Sequence, residues 1–189
     1  QRSARVKVWI FRRRHTPAGG AERYVQRLAG WLHRRGHEPW IAADRWPEAA
    51  DGSYRVRAMQ TDTYSEYVSV CLRDIKDGLV FSLERTLKQD VYRAGDGLHR
   101  VWLERRKQFA PWWKRPLIGL GAFHRNMLAL EARTFDPAST KHVIVNSEMV
   151  RGEIARHFPA FPLERIHLVR NGVEVRRFQN ADGAAARRR

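Results

Sequence analysis

Apolar residues form short continuous runs at the start of the chain, separated by one longer stretch with helical spacing. Arg5–Phe11 has unbroken β-propensity, which favours a strand buried on both faces of a parallel sheet. Residues 21–35 follow, with apolar side chains at helical spacing, and Gly36 is a favourable position for the helix to end. Glu38–Ala43 is a second apolar run. These residues predict a βαβ unit, right-handed like nearly all such units.

The same alternation continues to about residue 170. Pro111 and Pro116 divide the helical pattern of residues 98–135 into about two helices with an aromatic and basic turn between them, and Ser147 is placed to cap a later helix. Further strands are predicted over 54–59, 79–83, 89–92, 141–145 and 166–169, and further helices over 65–76 and after Ser147. We therefore predict an α/β domain with a doubly wound, mostly parallel, Rossmann-like sheet. It has about seven strands added in sequence order and helices on both faces.

Composition and charge narrow the possible partners. The 189 residues fit one domain, assigned to residues 1–180, with a flexible basic tail at 181–189. A formal net charge of +16 favours phosphates of nucleic acid, anionic lipids or phosphorylated substrates as partners, unless it only marks a solvated basic surface.

One cysteine, Cys71, excludes an intrachain disulfide, so a reducing cytoplasmic setting is the simplest interpretation. The spacing of histidines and the lone cysteine predicts no metal site.

Gly19 and Gly20 lie where the first strand passes into the first helix. Backbone amides and the helix dipole at such a point attract anions, and paired glycines let a phosphate approach the main chain. Arg13, Arg14 and His15 precede them in the same loop, so we expect a positive cleft mouth that suits a phosphorylated ligand. The alternatives are a glycine turn needed only to enter the helix and a solvated basic loop.

Asp96 and His99 flank a glycine-flexed turn after the strand at 89–92. Open α/β sheets bind ligands at the carboxyl ends of their strands, so Asp96 is a candidate for a polar role in a site. It is otherwise a turn former or the N-cap of the next helix. His99 is expected one turn into that helix, where a packing or surface role is favoured over catalysis, with anion or acceptor binding as the alternative.

Trp112, Trp113, Lys114 and Arg115 form the centre of an aromatic and basic segment. Rings at the acyl boundary and charges at headgroup depth are typical of segments that bind anionic bilayers. An ordinary amphipathic helix packed on the sheet is the alternative.

With these residues identified, the chain resembles the N-terminal half of a family 4 glycosyltransferase of the GT-B fold. The likeness extends over nearly the whole sequence. It rests on Leu32–Glu38, which leads to the second strand, and on three further segments. They are Gly19-Gly20-Ala21-Glu22-Arg23, Val145-Asn146-Ser147-Glu148, and the run from Pro162 through Asn171-Gly172 to Phe178. Asp90–Asp96 and Leu130–Phe135 are similar to the glucosyltransferases that build the lipopolysaccharide core.

The resemblance implies transfer of a hexose, with glucose as the expected sugar, from a nucleoside diphosphate sugar such as UDP-glucose to a lipopolysaccharide core or similar glycolipid acceptor. It implies retention of configuration without a metal or other cofactor. Gly19 and Gly20 would approach the donor diphosphate, Asp96 would lie beside the reacting sugar, and Asn171 and Gly172 would mark the interdomain hinge. This half would bind the acceptor.

The same resemblance implies that the C-terminal donor-binding domain is absent from this chain, which would be inactive alone. We expect the protein at the inner face of the cytoplasmic membrane, on an anionic surface. Two alternatives stay open: a basic α/β nucleic-acid-binding module and a non-catalytic membrane-surface adaptor. The first rests on charge alone, because the sequence contains no recognisable nucleic-acid-binding motif, so nucleic acid is not the expected partner.

Overall fold

The computed structural model describes residues 4–17 and 19–172, and it contains seven strands and five helices within them. The predicted tail at 181–189 and the end of the predicted domain therefore lie outside the described residues. The strands are β1 (Lys7–Phe11), β2 (Glu38–Ala43), β3 (Arg55–Ala58), β4 (Leu79–Ser82), β5 (Gln89–Ala94), β6 (Thr140–Val145) and β7 (Ile166–Leu168). The helices are α1 (Gly20–Arg34), α2 (Tyr64–Asp74), α3 (His99–Phe109), α4 (Ala122–Thr134) and α5 (Glu148–His157).

Each pair of neighbouring strands is parallel, and the strand order is β3-β2-β1-β4-β5-β6-β7. This confirms the doubly wound α/β class but corrects the prediction that strands are added in sequence order. The chain builds one half of the sheet outward from β1 to β3 and then returns to place β4 on the other side of β1. The switch point lies between β1 and β4.

The handedness of the connections explains which helices cover which face. Strands in register point their side chains to the same side, so Phe11, Ser82 and Tyr92 share one face and Ile10, Phe81 and Val91 share the other. Right-handed crossovers that run in opposite directions along a sheet place their helices on opposite faces. Accordingly α1 packs on the Ile10 face, whereas α2 and α5 pack on the Phe11 face.

Local signals set the helix ends. The hydroxyl of Ser147 accepts a hydrogen bond from the Val150 amide at 3.3 Å, as predicted, and Thr63 caps α2 in the same way through the Glu66 amide. Gly78, at φ +78°, ends the connection into β4, and a Cβ there would approach the Lys7 carbonyl oxygen to 2.6 Å. Backbone conformation and space therefore both require glycine at position 78.

Candidate functional site

The candidate site lies at the carboxyl ends of β1, β4 and β5, beside the switch point. Three connections meet there: residues 12–17 and 19 after β1, residues 83–88 after β4 and residues 95–98 after β5. Open parallel sheets bind their ligands in this crevice because adjacent loops diverge to opposite faces.

Arg12 links the first two of these connections. Its guanidinium lies 3.0 Å from Glu22 Oε1 and 3.4 Å from Glu84 Oε1. Burial disfavours the charged form of Arg12, but Glu84, Glu22 and Asp96 outweigh it and raise the pKa. The Nε atom of Arg12 is buried and has no hydrogen-bond partner among the described residues, so this cation retains one free donor inside the crevice.

Glu22 occupies the anion position that the sequence predicted at Gly19 and Gly20. Glu22 is 2% exposed, and its side chain folds back over Gly19, where a Cβ would overlap the carboxylate. Burial favours the neutral acid, but the hydrogen bond from Arg12 and those from the amides of Glu22 and Thr16 lower the pKa. Gly19 thus makes room for an internal carboxylate, and only Gly20, with open space around it, is free of such a contact.

Arg13 is paired rather than free. Its Nε donates to Asp44 Oδ2 at 2.6 Å, and the guanidinium also donates to the backbone carbonyls of Thr61 and Asp62. Burial works against ionisation of Asp44, yet hydrogen bonds from Thr61 and Arg13 lower the pKa of this carboxyl. Arg13 therefore fastens the loop after β1 to the loop after β3 and presents little net positive charge.

Arg14 and His15 contact the segment that follows β2. Arg14 is exposed and forms an isolated backbone bridge with Arg45, and the His15 amide donates to the Arg45 carbonyl at 3.1 Å. The His15 ring lies edge-on to Trp46, with 4.9 Å between the ring centroids. Of the four basic residues in this loop, Arg14 is thus the exposed one, and His15 is half-buried against Trp46.

Asp96 projects from the turn after β5. Its side chain is exposed, and the turn is fixed at both neighbours: Asn146 Nδ2 donates to the Gly95 carbonyl at 3.3 Å, and Arg85 Nη2 donates to the Gly97 carbonyl at 2.8 Å. Gly97 has φ +70°, which glycine adopts without strain. Asp96 is not the N-cap of α3, since that position belongs to Leu98. Its negative charge contributes to raising the pKa of both Arg12 and Arg85.

Glu131, on α4, binds the start of α3 directly after this turn. The sequence did not predict this role. Glu131 is fully buried and accepts hydrogen bonds from the amides of His99 and Arg100, the first residues of α3, so it supplies the cap that Leu98 lacks. Its Oε1 also lies 3.5 Å from Arg85 Nε. The available signal in the sequence was a carboxylate next to Leu130 in a helical segment that ends in Phe135.

His99 begins α3 instead of lying one turn inside it. Its Nε2 is 3.1 Å from Nδ1 of His124 on α4, and the ring stacks on Trp102. Burial lowers the pKa of His99, and Arg85 and His124 lower it further against the opposing effect of Glu131. The packing interpretation of His99 therefore describes its position better than direct ligand binding.

Helices α3 and α4 form a hairpin whose tip carries the aromatic and basic segment. Trp112 is 79% exposed and Trp113 is 56% exposed, so these rings do not belong to the core. Lys114 Nζ lies 4.6 Å from the centroid of the Trp113 ring, and Arg115 donates to the Ala110 carbonyl at 3.0 Å. Other exposed apolar side chains of the hairpin are Phe109, Leu117, Leu120 and Phe123.

The predicted hinge residues lie at the end of the described chain. Arg93 Nη2 donates to Asn171 Oδ1 at 2.7 Å, and the guanidinium of Arg93 stacks over Tyr24 at 4.2 Å from the ring centroid. Asn171 is thereby held between β5 and α1. Gly172 borders a groove beside α1, and Phe178 lies outside the described residues.

Two further observations bear on the class of site. Within residues 4–17 and 19–172, no group of three or more histidine, cysteine, aspartate or glutamate side chains is arranged to hold a metal ion. Among the helices of that same part of the chain, none has the length and apolar character needed to cross a membrane.

Two solved structures with a similar fold are glycosyltransferases. WaaG, a glycosyltransferase involved in lipopolysaccharide biosynthesis, superposes with a TM-score of 0.72 at 19% identity over 88% of this chain and 45% of its own. A glycosyltransferase from Rickettsia africae ESF-5 superposes with a TM-score of 0.54 at 13% identity over 98% of this chain and 48% of its own. The chain thus spans about half the length of the structures it matches. No family model and no curated protein matches the sequence.

Proposed function

We propose that this chain is the acceptor-binding half of a retaining glycosyltransferase. The enzyme would move a hexose, in the first instance glucose from UDP-glucose, to a lipopolysaccharide core or similar glycolipid at the inner face of the cytoplasmic membrane. The observation that carries the proposal is the exposed carboxylate of Asp96 on the turn after β5, beside the switch point, where its charge helps to raise the pKa of Arg12 and Arg85. The fold shared with glycosyltransferases adds support.

In this proposal the residues of the site stabilise charge that develops during the transfer. A retaining transfer develops positive charge on the sugar and negative charge on the departing diphosphate, so an enzyme needs fixed groups of both signs close together. Asp96 supplies an exposed carboxylate on a turn fixed by Asn146 and Arg85. Gly20 leaves open main chain at the α1 N-terminus for a phosphate, while Glu22 fills the space over Gly19.

The hairpin tip would hold the enzyme on the anionic surface that presents its acceptor. Exposed tryptophans beside Lys114 and Arg115 combine an apolar ring with a cation at one surface, which is the composition that interfacial segments use. Each basic residue near an anionic bilayer contributes about 1 kcal/mol of attraction.

Activity is tested on the complete protein that contains this chain, with UDP-glucose carrying a radiolabelled sugar and a lipopolysaccharide core acceptor. Asp96→Ala should reduce transfer by roughly a hundredfold or more, the usual effect of losing a group that stabilises transition-state charge. Asp62→Ala, another exposed carboxyl at this edge of the sheet, should leave the rate unchanged. Equal rates for wild type and Asp96→Ala would remove Asp96 from the site.

Membrane binding is tested separately on the 189-residue chain with vesicles that contain anionic lipid. The double change Trp112→Ser and Trp113→Ser should weaken binding at least tenfold because two exposed rings lose about 1.5 kcal/mol or more each of apolar transfer energy. Leu163→Ser with Val169→Ser removes two exposed apolar side chains elsewhere and serves as the control. Equal loss in both double variants, or tight and salt-resistant DNA binding by the wild type, would contradict the proposal.

A further inference from the structure

A groove of about 1070 Å³ runs beside α1, on the sheet face opposite to α2 and α5. Its second wall is the segment 47–54 between β2 and β3. That wall is fixed, because the hydroxyl of buried Tyr54 donates to the Pro47 carbonyl at 3.2 Å and the Gly52 amide donates to the Ala49 carbonyl at 3.0 Å. The groove is therefore preformed, as ligand sites usually are.

Three arginines of α1 line this groove. Arg23, Arg27 and Arg34 are separated by four and seven residues, which places them on one side of the helix over about 16 Å. In the part of the chain that the structure describes, none of the three forms an ion pair or a side-chain hydrogen bond. They differ in this from Arg12 and Arg13, whose charges are matched by carboxylates.

Gly30 keeps the stripe of arginines open. It lies between Arg27 and Arg34 on the groove side, and a Cβ at this position would approach the Arg34 guanidinium to 3.4 Å. A larger side chain here would fill the space through which a ligand passes from one guanidinium to the next.

The rest of the lining selects among anionic ligands. Trp31 is 47% exposed, with the Arg35 guanidinium stacked 4.9 Å from its ring centroid, and Glu48 and Asp51 project from the second wall. A phosphate binds guanidinium groups, sugar hydroxyls donate to carboxylates, and the apolar face of a sugar ring packs on an indole. A plain polyphosphate backbone would instead bring its charge against Glu48 and Asp51.

We propose that this groove binds a phosphorylated saccharide, with phosphate on Arg23, Arg27 and Arg34 and a sugar ring against Trp31. The inference rests on the proposed function, in which the ligand is the phosphate-bearing part of the glycolipid acceptor. The groove begins at Arg23 in the first turn of α1, the turn that also carries Glu22 of the candidate site, and Gly172 borders the groove where the described chain ends. An acceptor could thus extend from the reacting position along α1.

The 189-residue chain is titrated with a phosphorylated core oligosaccharide freed of lipid and with the same oligosaccharide after phosphatase treatment, and affinities are measured by calorimetry. The phosphorylated probe should bind at least tenfold more tightly. Arg27→Gln should remove about tenfold of its affinity, equivalent to about 1.4 kcal/mol. Arg156→Gln, an exposed arginine in the last turn of α5, is the matched control and should change nothing.

Trp31→Ala separates saccharide recognition from general attraction of anions. It should weaken both forms of the oligosaccharide but leave the weak binding of inorganic pyrophosphate unchanged. A single-stranded oligonucleotide that binds as tightly as the phosphorylated probe and is equally sensitive to Arg27→Gln would overturn the assignment. So would equal losses with Arg27→Gln and Arg156→Gln. Circular dichroism verifies that each variant is folded, and Arg23→Gln provides a second test should Arg27→Gln be unstable.

The outcome is distinguishable from failure of the proposed function. Should the complete enzyme transfer hexose while Arg27→Gln leaves both binding and transfer unaffected, the groove assignment is wrong and the transferase proposal stands. Should the groove bind the phosphorylated oligosaccharide while no transfer occurs with any nucleotide sugar, the transferase proposal is wrong and the saccharide site stands.

Discussion

Replacing Glu131 with alanine should destabilise the domain more than any surface change. Glu131 is fully buried, accepts hydrogen bonds from the first two amides of α3 and pairs with Arg85, whose side chain is 14% exposed. The variant leaves both amides and the guanidinium without this partner. Removing one member of a buried ion pair costs about 3–5 kcal/mol, because the other charge stays buried and uncompensated.

That cost is a large part of the total stability, which is about 5–15 kcal/mol for a typical domain. Glu131→Gln, of the same size, keeps an acceptor for an amide of α3 but loses the charge, so its cost should lie between those of wild type and Glu131→Ala. Combining Glu131→Met with Arg85→Met removes both charges and should be less harmful than Glu131→Ala, because no buried charge is left unpaired.

Urea unfolding followed by tryptophan fluorescence measures these differences, and hydrogen exchange of the His99 and Arg100 amides reports on the start of α3. Glu148→Ala is the control, since Glu148 lies close to the N-terminus of α5, as Glu131 lies close to that of α3, but forms only an exposed ion pair with Arg151 at 3.8 Å. It should cost less than about 1 kcal/mol. A loss for Glu131→Ala no larger than this control, with unchanged exchange at His99, would refute the assigned role.

Three further predictions concern single residues. The pKa of Asp44 is lowered in the folded state, so ionised Asp44 stabilises the fold above its ordinary pKa of 3.8, and this stabilisation is lost as pH falls through the folded pKa. When pH is lowered below 4, the unfolding free energy of Asp44→Asn should therefore decrease less than that of the wild type, as urea unfolding would show. Burial raises the pKa of the Cys71 thiol to about 12, so iodoacetamide should label it only in urea, as mass spectrometry would show. Gly78→Ala should lower the urea midpoint strongly, whereas Gly152→Ala, in open space within α5, should not.

The elements of this fold follow from local pattern, but the order of its strands does not. Apolar runs marked β1, β2 and β6 to within two residues, and Ser147 marked the start of α5. Strand order depends on the direction in which each crossover returns, and that direction is decided by packing between distant segments. The pattern of residues 79–92 shows two strands and does not show that the first of them pairs with β1.

In the candidate site, too, the sequence predicted local features but not contacts between distant residues. The sequence located the glycines after β1 and Asp96 after β5, because glycine and strand ends are local features. It did not show that Glu22 fills the space over Gly19 or that Glu131 caps α3 from 32 residues away. Both carboxylates are buried, and only the three-dimensional position of a partner distinguishes a buried carboxylate from an exposed one in an amphipathic helix.

These pairings change what the net charge of +16 means for recognition. At the switch point Arg12, Arg13 and Arg85 are each matched by a carboxylate, so the crevice is held together by its charges and is less positive than its sequence indicates. Among the described residues, the exposed cations without an ion pair include Arg23, Arg27 and Arg34 along α1 and Lys114 and Arg115 at the hairpin tip. Exposed charges are screened over about 8 Å at physiological salt, and buried pairs are screened much less. Salt should therefore weaken attraction of anionic ligands while the crevice itself keeps its geometry.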